Sequence, residues 1–534
     1  MNIVASPEDV GPKEENKAEQ AKAEQAKAGQ PKAEQAKADE SKNSFARIQA
    51  FVGIAAITVG NVAAIVTHVE EIRKFVSQLL GTEFVYRFHE YLVLGASALL
   101  LFGYGSLTYW LYRSFVEHKG KLLQAGFFLA AFVAVGSTVV GTYEFLFRPI
   151  DPVPLVKEQL GRYVQTVLSQ QVSSGEDAGG FRFSQTGIST DAQVWTTAQC
   201  LTALLVQDVS LIKDAGPALR RAFDYIERSR LKSSGSGWGY VKDMNWGVTE
   251  IDAWVALAYL YSLKADNAAL IWKSNELADA VSKANLALDL IVERQHDDGG
   301  WSVIERTSNQ KHLRTYSSIM AVWALAEAEQ NGDVLSGHEE KYRSALTLGA
   351  KWILGSYSTS STFSGWWPNP SNKVLVGEYP GMTAQTLFVL SRAKTSHSFI
   401  GADPKFKEAL EAFIHLALEG NESGQSLISR KMAPNETAHD SDRYLEGRTE
   451  TAEQSTFLWY PWTIAASVAF ERDPILRDYQ QMQFRKISSA LLARIDDVNR
   501  FVRSDAAIYP TAEVLFASGY LVANSALSLP RTKS

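Results

Sequence analysis

The sequence predicts an all-α protein: N-terminal transmembrane helices followed by an α/α toroid, a double ring with six helices inside six. Three observations predict it. Past residue 155 almost every segment spaces its apolar residues with a helical period, and β-branched alternation bounded by turns is nearly absent. Within that part, helices with one apolar stripe alternate with helices apolar nearly all round. Upstream, two long stretches contain no charged residue at all.

The first element is a low-complexity tail, residues 1–44. Lysines fall every five residues from Lys17 to Lys42, in units such as Lys-Ala-Glu-Gln-Ala. These residues favour helix, and Glu19 to Lys22 and Glu24 to Lys27 add i,i+3 pairs. A five-residue period lays no continuous apolar stripe on a helix, and Pro31 interrupts it, so the tail has nothing to bury and reads as solvated. No apolar h-region follows Met1, so a signal peptide is not expected. A net charge of −6 gives no basic field for nucleic acid. The single cysteine, Cys200, rules out an intramolecular disulfide and a Cys-rich zinc site.

Residues 45–147 read as a membrane region with two or three spans. Residues 91–112 and 122–143 are uncharged and, at about 1.5 Å per residue, long enough for a hydrocarbon core of roughly 30 Å. Tyr91, Tyr109, Trp110 and Tyr112 stand near the ends of the first, where amphipathic rings prefer the interface. Residues 51–66 are a shorter third candidate, containing Asn61. The loop between the two strong spans carries Arg113, Lys119 and Lys121, which puts it in the cytoplasm and everything after residue 147 outside. Arg73, Lys74 and Arg87 in the preceding loop weaken that bias. The expectation is a multi-pass protein of the plasma membrane, with the lipid bilayer as a partner. A proline-rich joint, Arg148 to Pro154, then leads to the toroid at 155–526.

The helices of the toroid come in two kinds. Those with an amphipathic stripe lie at 156–171, 217–231, 276–294, 339–355, 405–418 and 476–495. Those apolar all round, which must be buried, lie at 191–206, 249–263, 315–328, 383–393, 456–470 and 511–524. Their alternation at intervals of roughly 60 residues is an internal repeat. An inner ring within an outer ring is the economical solution, and an open helical solenoid is the alternative. Connectors carry the same repeat: Gly179-Gly180-Phe181, Gly237-Trp238-Gly239, Gly299-Gly300-Trp301 and Gly365-Trp366-Trp367. Glycine supplies a left-handed helix end. Thr190, Thr249, Thr315 and Thr383 follow as expected caps of the inner helices. The fifth connector is a long polar loop, 420–450, and the sixth lacks a glycine pair.

Gln295-x-x-Asp298-Gly299-Gly300-Trp301, at the end of a helix, resembles the QW-type repeat of the squalene and terpene cyclases. The resemblance extends to the toroid of protein prenyltransferase β subunits and implies an isoprenoid substrate. Class II cyclases protonate an alkene with an Asp-x-Asp-Asp motif. The nearest stretch here, Thr249-Glu250-Ile251-Asp252-Ala253, has Ala253 in place of the second aspartate of the pair. The zinc ligands of the prenyltransferases are not matched either, since Cys200 lies in an apolar helix and reads as a core thiol. No metal and no cofactor is expected. His439-Asp440-Ser441-Asp442 reads as a solvated loop.

In a toroid the inner helices begin at one end, and their first turns converge on a mouth. That argument selects Glu250, Asp252 and Asp191 as catalytic acids, and Trp195, Trp246, Arg314, Tyr316, Tyr509 and Glu513 as substrate contacts. Tyr379, Gln385, Tyr460 and Trp462 occupy comparable positions. Paired carboxyls can act as acid and base on a glycosidic bond, rings stack on sugars, and Arg314 can hold an anionic group. An acid at a helix start also favours the macrodipole, the simpler role for any one of them. Two function classes are open: an enzyme acting on an isoprenoid, lipid-linked or glycan substrate at the mouth, or a non-catalytic binding or sensing module.

Overall fold

The computed structural model describes residues 153–184, 192–231, 237–240, 246–303, 313–360, 363–370, 378–420, 425–430, 439–445, 452–492, 494, 497–499 and 507–524, with Tyr109 and Arg113. The chain divides into two compact units, Met1–Pro149 and Ile150–Ser534, and all but two of the described residues belong to the second. Among the described residues no helix is long and apolar enough to cross a membrane, which corrects the expectation of a multi-pass membrane protein. The tail 1–44 and the stretches 51–66, 91–112 and 122–143, from which that expectation came, lie outside the described residues, apart from Tyr109. The apolar helices that are described are short, at most 16 residues, and other helices rather than lipid surround them.

Twelve long helices among the described residues build the second unit. In chain order they are α1 (Val153–Ser169), α2 (Val194–Leu205), α3 (Gly216–Arg228), α4 (Thr249–Ser262), α5 (Leu277–Glu293), α6 (Thr315–Glu329), α7 (Glu339–Ser356), α8 (Pro380–Lys394), α9 (Pro404–Leu418), α10 (Trp459–Phe470), α11 (Asp478–Leu492) and α12 (Tyr509–Asn524). The even-numbered helices pack each on the next, and α12 packs on α2. That last contact closes the ring and decides against an open solenoid. Each odd-numbered helix lies outside the inner helix that precedes it, and α1 lies outside α12. The unit is thus mostly helical and toroid-like.

Every residue of α4 is buried, whereas α3 buries one stripe: Leu219, Ala222, Phe223, Tyr225 and Ile226. This is the difference between inner and outer helices seen in the sequence. Three inner helices begin three residues from their expected starts: α2 starts at Val194, after Ala192–Gln193 pairs as a short strand. α8 starts at Pro380, whose missing N–H suits a first turn. α10 starts at Trp459 because Ala452–Leu458 forms a strand paired antiparallel with another at His439–Leu445. That hairpin falls in the stretch read as a polar loop. Two shorter pairings, Phe181–Arg182 with Ala192–Gln193 and Ser358–Thr359 with Ser364–Gly365, close other connectors.

The expected threonine caps are not how the inner helices begin. Val248, Arg314 and Tyr379 occupy the cap positions and make no side-chain cap hydrogen bond; Thr190 lies outside the described residues. Instead the first N–H of an inner helix donates to the backbone of the next connector. Val194 N–H donates to the Tyr240 carbonyl at 3.0 Å, Thr249 to Val303 at 2.8 Å, and Thr315 to Pro368 at 3.0 Å. An orphan donor of one repeat is thereby satisfied by its neighbour.

A second stitch runs within the first four repeats. The N–H of the connector aromatic donates to the fourth residue of the following inner helix. Phe181 reaches Thr197 Oγ1 (2.9 Å), Trp238 reaches Asp252 Oδ1 (2.8 Å), Trp301 reaches Ser318 Oγ (3.0 Å), and Trp366 reaches Thr383 Oγ1 (3.1 Å). The three indole N–H groups reach back to the preceding outer helix, at the carbonyls of Ile226, Ile291 and Ile353. Gln295 Nε2 donates to the Gly299 and Ala345 carbonyls, each at 2.9 Å, and Gln171 does the same with Gly179 and Ala218. The glutamine, glycine and tryptophan of that stretch therefore tie one outer helix to the next.

Gly299 is a point of close approach between two outer helices. Its φ is 98°, and a Cβ there would collide with the Leu348 carbonyl oxygen of α7. Gly175, at φ 85°, has open space where a Cβ would go. Replacing Gly299 with alanine is expected to lower stability by about 3 kcal/mol, from backbone strain plus the forced separation of α5 and α7. The same change at Gly175 is expected to lower it by about 1 kcal/mol, from the backbone alone. Denaturant unfolding of both variants checks this, and equal losses would remove the close-approach argument.

Candidate functional site

Because an outer helix runs back between successive inner ones, the six inner helices run parallel and their N-terminal turns meet at one end. Two carboxyls selected from the sequence stand there. Glu250, second residue of α4, accepts from Tyr240 Oη at 2.9 Å and from Ser317 Oγ at 2.7 Å. Glu513, fifth in α12, accepts from Gln199 Nε2 at 3.1 Å and from Trp462 Nε1 at 3.0 Å. Both are buried. Burial pushes the Glu513 carboxyl up to about 8, against the pull of the Trp462 and Gln199 N–H groups. Tyr316, second in α6, stands within the field of both acids. Burial lifts its phenol well above the usual range, and Glu513 and then Glu250 add to the lift. Trp254 Nε1 donates to its oxygen at 3.4 Å.

A wall of rings adjoins the acids. Trp195 and Tyr509 lie 5.5 Å apart between centroids. Phe183 stacks on Tyr509 at 6.2 Å and tilts against Trp195 at 5.9 Å, while Tyr240 meets Trp195 edge-on at 6.3 Å. Tyr240 belongs to both groups, since its hydroxyl reaches Glu250. The structure thus brings together Glu250, Glu513, Tyr316, Trp195 and Tyr509. Arg314 is the buried residue immediately before α6, and Trp246 is 46% exposed on the connector leading to α4. Asp191 lies outside the described residues.

Asp252 has a different setting. It is the fourth residue of α4, the position filled by Thr197, Ser318 and Thr383 in other repeats, and it accepts the Trp238 N–H as they accept theirs. A hydroxyl at this position also donates to the carbonyl four residues back, as Thr197 does to Gln193 and Ser318 to Arg314. A carboxylate cannot, and its other oxygen is matched instead by an ion pair with Arg294 from the end of α5. Burial pushes the Asp252 carboxyl up to about 7, while Arg294 and the Trp238 N–H pull it down. Its contacts are those of a connector clasp.

Below the acids the ring is filled. Trp323 of α6 meets Trp254, Phe388, Trp462 and Phe516, from four other inner helices, at centroid distances of 5.5, 5.5, 5.8 and 5.2 Å. One turn further along α6, Glu327 accepts from Arg392 Nε at 2.7 Å and from Trp323 Nε1 at 3.3 Å. Among the described residues no group of three His, Cys, Asp or Glu could hold a metal ion. Cys200 is buried, and burial pushes its thiol up, as expected of a core thiol. The side chains of His439 to Asp442 lie outside the description.

Gln199, Ser317, Tyr240 and Phe183 were not singled out from the sequence. Gln199 had a signal: it is a long polar residue in an inner helix that is otherwise apolar or hydroxylic at its buried positions. Tyr240 and Phe183 sit on connectors, where the sequence gives no direction to a ring.

No protein-family model matches the chain, and no curated protein matches it. Solved structures similar to it include a glycoside hydrolase family 76 mannosidase from Bacteroides thetaiotaomicron, at 12% identity and TM-score 0.42, over 68% of this chain and 98% of that one. Another is a D-mannose isomerase, at 13% identity and TM-score 0.45, over 70% of this chain and 98% of that one. A cellobiose 2-epimerase from Spirochaeta thermophila is at 13% identity and TM-score 0.43, over 68% of this chain and 97% of that one. These are sugar hydrolases and isomerases. The expected kinship with terpene and squalene cyclases and prenyltransferase β subunits is corrected accordingly. In the chain itself, the one aspartate of the cyclase-like stretch is clasped to Arg294, and the glutamine and tryptophan of the QW-like stretch act between helices.

Replacing Asp252 with asparagine keeps an acceptor for Trp238 but removes the negative charge paired with Arg294. The expected loss is about 2–4 kcal/mol in denaturant unfolding. Adding Arg294→Met to Asp252→Ser, which restores the hydroxyl of the other repeats, is expected to recover at least about half of it. Glu513 makes stability depend on pH. Between its ordinary value of 4.5 and about 8 the folded chain keeps a proton that the unfolded chain releases. Its contribution is therefore full below 4.5, falls as pH rises, and is gone above about 8. Thermal unfolding against pH should show this fall in the wild type and a shallower one in Glu513→Gln. Identical curves would contradict it.

Proposed function

We propose that the protein is an enzyme acting on a glycan at the mouth of the helical ring, by carboxyl acid/base chemistry. The observation that carries the reading is the contrast between Glu513 and Glu250, whose fields both reach Tyr316 beside a wall of rings. Glu513 is buried, has two neutral donors, and is pushed up to about 8, so it holds its proton near neutral pH. Glu250 is held instead by two hydroxyls, those of Tyr240 and Ser317. Two carboxyls in differing environments are what acid and base roles on one substrate require.

The rest of the mouth suits a sugar. Trp195, Tyr509 and Phe183 offer faces to the apolar side of a pyranose, and Trp246 offers an exposed ring where a longer chain would enter. Arg314, just before α6, would meet an anionic substituent. Asp191, outside the described residues, is a further candidate acid from its position in the sequence. The ring axis beneath is packed with Trp323 and its neighbours, which disfavours an apolar tunnel for an isoprenoid. The same packed axis and the full hydrogen bonding of both acids favour a second reading, a binding module that holds a glycan without turning it over.

The two readings separate on one set of measurements. The full chain is incubated with a panel of oligosaccharides, and binding and product formation are followed separately. An enzyme is expected to convert at least one glycan, and Glu250→Gln and Glu513→Gln are each expected to lower its turnover by about 100-fold or more. Trp195→Ala is expected to weaken binding by about tenfold, from the lost stacking. Binding without turnover would support the module. Absence of both would overturn the glycan reading.

A further inference from the structure

Glu513 is held by two donors that differ in what they permit. The Trp462 indole N–H can only donate, so Oε2 is always on the accepting side of that 3.0 Å bond. Gln199 carries both a donor and an acceptor at the end of one side chain. Its Nε2 lies 3.1 Å from Glu513 Oε1, and its Oε1 is buried with no hydrogen-bond partner. A half-turn of the amide exchanges the two. With Nε2 inward Gln199 serves a carboxylate, and with Oε1 inward it accepts a proton carried on Oε1 of the acid.

On the reading of the mouth as a glycan site, we propose that Gln199 is the positioning residue of Glu513: opposite the donor-only indole of Trp462, it confines the acid's proton to Oε1 and bonds the carboxyl in either protonation state.

Three features of the surroundings support it. Gln199 is 2% exposed, so water cannot freely replace its amide. It lies on α2, Glu513 on α12 and Trp462 on α10, so the carboxyl is gripped from two sides by different helices. Tyr316 of α6 lies within the field of Glu513, and Glu250 of α4 and Tyr509 of the helix that carries Glu513 act on the same phenol. The two amide and indole groups are therefore the means by which the protein selects an oxygen. A proton fixed on Oε1 has one direction of delivery, toward whatever displaces the Gln199 carbonyl from it.

The test reads the proton of Glu513 directly and needs no sugar. Infrared difference spectra of the full chain, taken from pH 6 to 10, follow the protonated-carboxyl band that disappears in Glu513→Gln. In Gln199→Met, which keeps the length and removes both bonding groups, the midpoint of that band is expected to rise by about one pH unit, because the bond to the charged form is the stronger of the two lost. The band itself is expected to move toward that of a non-bonded acid. Gln199→Leu serves if the methionine variant does not fold. An unchanged midpoint and an unchanged band in a folded variant would overturn the proposal and show Gln199 to be packing alone. The outcome is separable from the glycan reading. If Glu513→Gln abolishes turnover while Gln199→Met leaves the band unmoved, the site stands and the positioning role falls. If the band moves and no glycan is bound or converted, the positioning role stands and the glycan reading falls.

Discussion

The first N–H of an inner helix has no partner within its own helix, and the ring depends on where that partner is found. At α2, α4 and α6 it is a carbonyl of the next repeat's connector. Leaving such a buried donor unmet would be unfavourable by about 1–3 kcal/mol, comparable with a large share of a domain's net stability. Each repeat is thus completed by its neighbour. The same bonds fix the height of α2, α4 and α6, which sets Trp195, Glu250 and Tyr316, each second in its helix, at one level.

Burial then gives each acid its character. Glu250, Asp252 and Glu513 all lie near helix starts, and the helix start alone would favour the charged form of each. Their partners divide them. Asp252 meets a guanidinium, Glu250 two hydroxyls, and Glu513 an indole and an amide. Asp252 also shows how a repeat tolerates an odd residue. An acid where the other repeats have a hydroxyl loses a donor, and the neighbouring outer helix supplies Arg294 in compensation.

Much of the ring was legible in the sequence because it follows from periodicity. The twelve helices, their alternation and the connector glycines come from spacing, and spacing survives in a single chain. The starts of α8 and α10 were not legible to the residue, because a proline first turn and a strand hairpin compete locally with the helical pattern. The threonine caps were misread for a different reason. A capping side chain is a local signal, whereas the acceptor used here belongs to the next repeat and leaves no mark near Thr249 or Thr315. Within the site, convergence picked out Glu250, Tyr316, Trp195, Tyr509 and Glu513 as near neighbours. It could not separate Asp252 from them, because two residues along a helix turn a side chain about 200° away, and only contacts show where it then points. Gln199 and Ser317 stayed hidden because a polar residue in a buried helix announces a partner without naming it.

Closure of the ring has a consequence for how the chain is made. The bond from Gln199 to Glu513 joins residues 314 apart, and the packing of α12 on α2 spans the whole repeat region. During synthesis the flank of α2 that will meet α12 remains uncovered while the intervening helices are built, and it is apolar. The earlier repeats can stack in order as they emerge, since each needs only the next. The acid–amide pair cannot exist until the final helix has left the ribosome and docked. The chain therefore cannot complete its mouth on a partial product, and the interval before docking is when its open edge is most exposed to other chains.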